Sequence, residues 1–172
     1  VLGVIGLVFL IGAAGSFYTV EPNEEAVIVR LGKYYDTALP GLHYKLPFGV
    51  DKVMKVKTKL VYQEEFGFRT LRPARRTQYG RSENAKAESV MLTGDLNVAT
   101  VEWVVQYRIS DPAKFLFEVR EPSETLRYVS ESVMREVVGD RTVDEVITIG
   151  RQEIETEALA KMQALSTKYA MG

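Results

Sequence analysis

An alternation of apolar and polar residues between positions 98 and 109 is the clearest pattern in this chain. Its apolar members are Ala99, Val101, Trp103, Val105, Tyr107 and Ile109. Because successive side chains of a β-strand point to opposite faces, the pattern predicts a strand with one buried face. A shorter apolar run over 90–92 precedes it, and Thr93-Gly94-Asp95 is typical of the turn between two strands. The two runs are predicted to form a β-hairpin whose apolar face needs a cover.

After the hairpin, apolar residues recur at three- and four-residue spacing, which predicts amphipathic helices that supply this cover. Asp111-Pro112 is predicted to cap and begin a helix over 113–119. A second helix is predicted from Pro122 to Gly139 and a longer one over 151–169, with a capping box at Thr142-Val143-Asp144-Glu145 between them. The apolar positions of the two longer helices are Leu126, Val129, Val133, Met134 and Val137, and Ile154, Ala158, Met162, Leu165 and Tyr169.

Shorter strand patterns occupy the first half of the chain. Ala26 to Leu31 is predicted to be a strand, and the chain turns away from it over 32–35. Residues 40–48 are framed by two prolines, which favour extended backbone, so this stretch is predicted to be a loop with a short strand in it. Lys52 to Tyr62 alternates again and is predicted to be a half-exposed strand whose lysines protect a sheet edge.

The first 17 residues carry no charge and are mostly Val, Leu, Ile, Gly, Ala and Phe. As a helix they would span about 26 Å, which is close to the ~30 Å hydrocarbon core of a bilayer. We therefore expect a transmembrane anchor over 1–17 that extends upstream in a longer protein, followed by one domain over 18–172. The small residues 12–16 are also compatible with a cleaved signal peptide or with close packing of two membrane helices.

Composition narrows the possible chemistry. The 172 residues carry a net charge of −1, which gives no global attraction to nucleic acid or to an acidic membrane surface. The absence of cysteine excludes disulfides and cysteine-based zinc sites. His43 is the only histidine and has no recognisable partner in the sequence, and no nucleophile elbow, phosphate loop or zinc-protease motif occurs. We therefore predict no catalytic, cofactor-binding or metal-binding residue.

An arginine-rich stretch between Glu64 and Glu88 breaks the strand patterns. Its arginines are Arg69, Arg72, Arg75, Arg76 and Arg81. Clustered arginines with scattered aromatic residues occur in nucleic-acid-binding proteins, but here glutamates flank them and no base-recognition motif accompanies them. Long connecting segments often carry interaction surfaces. We therefore predict a solvated or subunit-contacting insertion over 64–88, with these arginines as candidate contacts and no nucleic-acid partner.

Several motifs, in this order along the chain, resemble the stomatin/prohibitin/flotillin/HflK-HflC family, also called the SPFH or band 7 family. They are Arg-Leu-Gly-Lys-Tyr at 30–34, Pro-Gly-Leu-His-Tyr-Lys-Leu-Pro-Phe at 40–48, Leu-Thr-Gly-Asp at 92–95, Val-Gln-Tyr-Arg-Ile-Ser-Asp-Pro at 105–112 and Arg-Thr-Val-Asp-Glu-Val at 141–146. With the apolar N-terminal segment they cover essentially the whole chain. Within the family, Glu-Glu-Phe-Gly-Phe-Arg-Thr at 64–70 resembles the K-type subunit of the bacterial HflK/HflC complex.

The resemblance implies an α+β fold, in which an N-terminal transmembrane helix precedes an SPFH domain of antiparallel β-sheet packed by helices, with a coiled coil beyond residue 172. It implies a non-enzymatic membrane scaffold without a cofactor, in the bacterial inner membrane, with its main domain in the periplasm. The implied partners are an HflC-like paralogue, the membrane AAA+ protease FtsH and the lipid bilayer. The implied assembly is a large hetero-oligomeric ring or cage that encloses FtsH, modulates it and organises a membrane microdomain.

Two other functions remain compatible with the residues. One is a stomatin- or prohibitin-like scaffold of a different membrane, without a link to FtsH. The other is a membrane-anchored hydrolase, in which a serine nucleophile would need His43 as its base because no other imidazole is available. Loss of activity on replacing His43 would favour the hydrolase.

Overall fold

The computed structural model describes residues 16–72, 78–80, 87–148 and 150–172. These described residues divide into two compact units, the first made of residues 16–60, 108–118 and 172, and the second of the remaining stretches between 61 and 171. Both units combine antiparallel strands with helices. The predicted α+β class is therefore confirmed.

The first unit is built around a three-stranded antiparallel sheet. Its elements are β1 (Phe17–Val20), β2 (Glu25–Arg30), β3 (Lys33–Ala38), β4 (Gly41–Tyr44), β5 (Asp51–Val56) and the short helix α1 (Pro112–Phe117). β2 lies between β3 and β5, while β1 pairs with β4. Since β2 is covered on both faces, its residues from Ala26 to Val29 are all buried, as the unbroken apolar run Ala-Val-Ile-Val requires.

Two strand boundaries in this unit differ from the predictions. The predicted turn over 32–35 is shorter, because Leu31 and Gly32 adopt φ angles of 50° and 86° and form a two-residue hairpin turn, so that β3 already begins at Lys33. The predicted strand over 52–62 ends at Val56, and Tyr62 begins a different strand. The edge position of β5 agrees with the prediction from its lysines, since β5 pairs with β2 alone among the described strands.

The described part of the second unit contains three antiparallel strand pairs and the helices named below, and residues 87–89 are helical as well. Its elements are β6 (Tyr62–Phe66), β7 (Arg69–Arg72), β8 (Gln78–Gly80), β9 (Val90–Leu92), β10 (Val98–Thr100), β11 (Trp103–Tyr107), α2 (Pro122–Gly139), α3 (Val143–Ile147) and α4 (Arg151–Lys168). β6 pairs with β11, β7 with β8, and β9 with β10. The β9–β10 pair is the hairpin predicted from the sequence.

The single strand predicted over 98–109 is wrong, because the chain breaks into β10 and β11 at residues 101–102. At the break, the backbone N–H of Val101 donates to the carbonyl of Ser89 at 2.8 Å, and the following strand pairs with β6 instead of β9. The alternation itself is confirmed, since every second residue from Ala99 to Ile109 is buried or half-buried and those between are exposed. The alternation of apolar and polar residues therefore predicts which face of a strand is buried, but it does not predict which strand pairs with it.

The predicted helix signals are largely confirmed. Asp111 caps α1, its carboxylate accepting hydrogen bonds from the backbone N–H groups of Ala113 and Lys114 at 3.0 and 3.1 Å. The helix ends at Phe117, two residues before the predicted end. α2 ends at Gly139 as predicted, and Thr142 and Glu145 form the predicted capping box at the start of α3.

The two longer helices cover the inner face of the β9–β10 hairpin, as predicted. All five predicted apolar positions of α2 are buried, as are the first three of α4, whereas Leu165 is half-buried and Tyr169 lies exposed beyond the helix end. Met91 and Ala99 of the hairpin belong to the same buried cluster as most of these helix residues, and Trp103 packs against it. This cluster is the core of the second unit.

The expected membrane anchor falls almost wholly outside the described residues, which begin at residue 16. Phe17, its predicted last residue, begins β1, where it lies opposite Tyr44. No helix of the described part of the chain is long and apolar enough to cross a membrane.

Candidate functional site

The two ends of the arginine-rich segment leave the second unit close together. β6 and β7 are joined at Gly67, which has a φ of 84° and lies so close to Ser89 that a Cβ atom would approach the Ser89 Cβ to 2.7 Å. Only glycine fits this turn. It brings Arg69, the first arginine of the segment, next to Glu88, where the segment ends.

Arg69 and Glu88 form an ion pair across the base of the segment. The Nη2 atom of Arg69 lies 2.8 and 2.9 Å from the two carboxylate oxygens of Glu88. Its Nη1 atom donates to the backbone carbonyls of Phe68 and Glu65. These contacts join residues 19 positions apart and hold both ends of the segment.

Arg127 connects this ion pair to α2. It donates to Glu64 at 2.8 Å and to Glu88 at 3.0 Å, and its guanidinium lies 4.6 Å from the centre of the Phe66 ring. Burial acts to lower the pKa of Arg127, but the carboxylates of Glu64 and Glu88 outweigh it, so that the pKa is raised and the guanidinium stays charged. We call Arg69, Glu88, Arg127 and Glu64 the arginine–glutamate network.

Aromatic side chains pack against the arginine–glutamate network. Phe66, fully buried, stacks on Trp103 with ring centres 4.5 Å apart and planes 3° from parallel. The indole N–H of Trp103 donates to the hydroxyl of Ser130 at 2.9 Å, and Ser130 is fully buried in α2. The packing of β6, β11 and α2 therefore fixes the position of Arg127.

The network has the chemistry of a positioning device. Its two guanidinium groups balance its two carboxylates, and each charge faces an opposite charge. The network can hold Arg69 and Glu88, which lie at the two sides of the arginine-rich segment, in fixed positions.

The structure describes the predicted arginine contacts unevenly. Arg69 is half-buried in the network, so one predicted contact residue is engaged within its own chain. Arg72 belongs to β7, while Arg75, Arg76 and Arg81 lie outside the described residues. The role of all five in subunit contact stays a prediction.

A second candidate surface is the outer face of the β1–β4 pair in the first unit. Phe17 lies opposite Tyr44, their rings in edge-to-face contact at 5.8 Å, and Leu42 follows on the same face. All three side chains are exposed, Leu42 by 68%. The backbone N–H of Lys45 donates to the carbonyl of Ser16 at 2.7 Å, and Ser16 directly follows the apolar segment 1–15 in the sequence.

A nearby loop presents a further exposed aromatic side chain. Phe48 is 68% exposed at a φ of 61°, a conformation that is unfavourable for a bulky residue. The loop is held by the buried carboxylate of Asp51, which accepts from the Leu46 N–H at 2.9 Å and from Arg30 at 2.8 and 3.1 Å. Hydrogen bonds from Arg30 and from the Leu46 N–H hold the pKa of Asp51 below its usual value.

His43 lies on the inner side of the same strand pair. Its Nε2 atom is 2.6 Å from the carbonyl of Leu39, and its ring packs against Tyr18 with centres 5.7 Å apart. These contacts fit a structural side chain. Among the described residues, no group of three or more histidine, cysteine or acidic side chains is placed to hold a metal ion.

The sequence did not reveal the residues that build these surfaces. Arg127 lies on the polar side of a predicted helix and contacts Glu64 across 63 positions, and Asp51 reaches Arg30 across 21 positions. Such pairs depend on how strands and helices come together, which a local pattern does not contain. The sequence marks these residues only weakly, by a charged residue next to an aromatic one, as at Glu64-Glu65-Phe66.

Comparison with known proteins identifies the family. The model of the SPFH domain / Band 7 family matches residues 18–171. The chain is 41% identical to Protein HflK of Treponema pallidum over 172 residues, covering 99% of this chain and 51% of that protein. It is 36% identical to Protein HflK of Borreliella burgdorferi over 157 residues, covering 91% of this chain and 49% of that protein.

A third relative carries a functional name. The Modulator of FtsH protease HflK of Escherichia coli is 33% identical over 165 residues, covering 96% of this chain and 34% of that protein. The chain thus spans about half the length, or less, of these relatives. Because the family model matches nearly all of the 172 residues, this chain belongs to the SPFH domain / Band 7 family.

Proposed function

We propose that this protein is a membrane-anchored scaffold subunit of a large HflK/HflC-like hetero-oligomeric ring or cage. The assembly encloses and modulates the membrane AAA+ protease FtsH and organises a patch of membrane around it. The observation that carries this proposal is the similarity along almost the whole chain to proteins named HflK, one of which is named a modulator of FtsH protease. The partners are an HflC-like paralogue, FtsH and the lipid bilayer.

Membrane association has support from the first unit. Phe17, Leu42, Tyr44 and Phe48 are exposed apolar or aromatic side chains, and three of them lie on one face of the β1–β4 pair. Exposed apolar groups beside an uncharged segment such as 1–15 suit the interface of a bilayer, where aromatic rings are favoured. In this proposal, the anchor lies in the bacterial inner membrane and the two units lie in the periplasm.

A scaffold acts without catalysis. The only imidazole, His43, contacts a backbone carbonyl and an aromatic ring, and the carboxylates of the arginine–glutamate network are held in ion pairs. A ring of anchored domains limits the access of substrates to an enclosed protease through its surface and geometry alone. No cofactor is needed for that role.

The proposal is tested by deleting the gene for the full-length protein in its native host, with and without FtsH. We expect the turnover of membrane-protein substrates to change only when FtsH is present. A strain carrying His43→Ala should behave as wild type, provided that the variant accumulates normally. Unchanged turnover after deletion, or peptide hydrolysis by the purified protein that His43→Ala abolishes, would overturn the proposal.

Topology is tested separately in spheroplasts. Protease added from outside should digest the chain beyond residue 18, because the two units are placed on the periplasmic side. Protection of the chain there, with digestion after lysis, would place the units in the cytoplasm.

A further inference from the structure

The outer face of the β9–β10 hairpin is apolar and uncovered in the second unit. Val98 lies opposite Leu92, and both side chains are exposed, Val98 by 69%. The inner residues Met91 and Ala99 lie in the core, so strand alternation directs Leu92 and Val98 away from it. A small two-stranded sheet with apolar side chains on both faces is typical of a surface that another molecule covers.

The turn of the hairpin contains Leu96, whose backbone conformation and exposed side chain are both unfavourable in an isolated molecule. Leu96 has a φ of 63°, a region where glycine or asparagine is usual, and its side chain is 79% exposed. Both the backbone strain and the exposed apolar surface disfavour leucine at this position. Contact of the Leu96 side chain with a partner would offset both effects. Leu31 shares the strain and the exposure. Leu96 is distinguished from it by the exposed Leu92–Val98 pair of the same hairpin.

The turn is held rigidly against the neighbouring helices. The carboxylate of Asp95 accepts hydrogen bonds from the Thr93 hydroxyl at 2.6 Å, the Asn97 amide at 2.8 Å and the backbone N–H of Val143 at 3.2 Å. Gly94 approaches the end of α2 so closely that a Cβ atom would lie 2.8 Å from the Gly139 carbonyl. Leu96 is therefore displayed in one fixed position, which lowers the entropic penalty of binding.

Acidic side chains surround this apolar turn. Asp95 lies in the turn itself, and Asp140, Asp144 and Glu145 are exposed at the adjoining end of α2 and start of α3. Arg141, the cation among them, is bound to Glu153 and Glu157 at 3.0 Å each. We call Leu92, Leu96 and Val98 with these four carboxylates the acidic ridge.

We propose that the acidic ridge is the docking site for a cationic segment, with apolar side chains, of a neighbouring subunit of the same family. Charge complementarity selects a basic partner, and the leucines select apolar groups between its basic residues. A second copy of this chain could supply such a segment, since its residues 70–86 hold five basic residues, one glutamate, Leu71 and Tyr79. The inference rests on the proposed assembly and identifies the surface that receives the arginine-rich segment.

The first test separates a partner contact from a role in folding. Leu96→Asn suits the positive φ and removes the apolar side chain, and Leu31→Asn is a matched control, since Leu31 has a φ of 50° and is 82% exposed in another turn. We expect the melting temperature of the full-length protein to stay or rise in both variants. The affinity of subunit association should fall about tenfold in Leu96→Asn alone, as for a residue at the centre of an interface.

A second pair of variants tests the contribution of the acidic side chains of the acidic ridge. Asp144→Lys reverses one carboxylate, and Glu155→Lys makes the same change at an exposed position of α4. Association should weaken only in Asp144→Lys, and the loss should shrink as salt is raised. Equal association in Leu96→Asn and its control, or in the two lysine variants, would overturn the docking site.

The occupant is identified by placing a photo-crosslinking amino acid at position 96 of the full-length protein in its membrane. Illumination should join it to a basic segment of a neighbouring family subunit, which mass spectrometry of the cross-linked peptide would show. A cross-link only within the same chain, to lipid, or to an unrelated protein would overturn the inference and leave the proposed assembly standing. If the unmodified protein forms no assembly at all, the proposed function fails with it.

Discussion

Ser130 is a small residue whose hydrogen bond with Trp103 is predicted to stabilise the second unit. It is fully buried in α2 and accepts the indole N–H of Trp103 at 2.9 Å. Ser130→Ala would leave that N–H without a partner in the core, which costs about 1–3 kcal/mol. We expect urea unfolding, followed by the fluorescence of the only tryptophan in these 172 residues, to show this loss.

The control for this change lies on the same helix. Ser132→Ala alters an exposed serine two positions away and should leave the free energy of unfolding within about 0.5 kcal/mol of wild type. Equal effects of Ser130→Ala and Ser132→Ala would mean that the indole hydrogen bond adds nothing to stability.

Asp51 makes the first unit sensitive to acid. Its pKa is held below the usual value by the hydrogen bonds from Arg30 and the Leu46 N–H. A carboxyl group with a depressed pKa in the folded state stabilises the fold fully above its unfolded pKa of about 3.9. That contribution is lost as the pH falls through the folded pKa.

We therefore expect Asp51→Asn to lower the melting temperature at pH 7, where the lost ion pair matters most. The difference between wild type and variant should shrink below about pH 4, since the wild-type carboxyl is then being protonated as well. Melting curves between pH 3 and pH 7 measure this. A difference that stays constant over that range would show that Asp51 acts through shape and not through charge.

At the scale of elements, the β1–β4 pair yields a prediction about depth in the membrane. The sequence contains no cysteine, so Leu42→Cys and Leu159→Cys can each carry a single fluorescent label in this domain of the full-length protein. Both positions are exposed, by 68% and 55%, but Leu159 lies on α4. Spin-labelled lipids in nanodiscs should quench the label at 42 more strongly than the label at 159, and equal quenching would contradict contact of the β1–β4 face with the bilayer.

Most elements could be predicted because their signals are local. The caps at Asp111 and Thr142 involve residues two or three positions apart, and the stripe of α2 follows from helix geometry alone. The break at Val101 could not be predicted, because residues on both sides keep the same alternation. There the hydrogen bond to Ser89 and the pairing of β11 with β6 decide the structure, and both are contacts at a distance along the chain.

The candidate surfaces were predictable only in part, for the same reason. The arginine-rich composition of 64–88 is visible in the sequence, but its attachment through Arg127 is not, since Glu64 and Arg127 meet only after β6 and α2 have packed. The turn predicted at Thr93-Gly94-Asp95 does not include Leu96, and no pattern in the sequence signals the positive φ of Leu96. Local chemistry therefore identified the segments, and tertiary contacts identified the residues that hold them.

At the scale of the whole molecule, we predict that the arginine-rich segment takes part in assembly. Residues 70–86 contain five basic residues and one acidic residue, and the arginine–glutamate network holds both of their ends. Exposed arginines are enriched at the centres of protein interfaces because the guanidinium forms several directed hydrogen bonds. We expect the combined change of Arg72, Arg75 and Arg76 to serine to weaken assembly or pairing with the paralogue while the fold persists.

Native gel electrophoresis of the full-length protein, extracted gently from its membrane, measures the size of the complex, and mass spectrometry measures its composition. The matched control replaces Lys52, Lys59 and Lys168 with serine, which removes the same charge from exposed positions outside the segment. A smaller complex, or one depleted of the paralogue, is expected only for the arginine variant, because surface charge in general contributes little to association. If both triple variants assemble like wild type, residues 70–86 are a solvated insertion and the contact between subunits lies elsewhere.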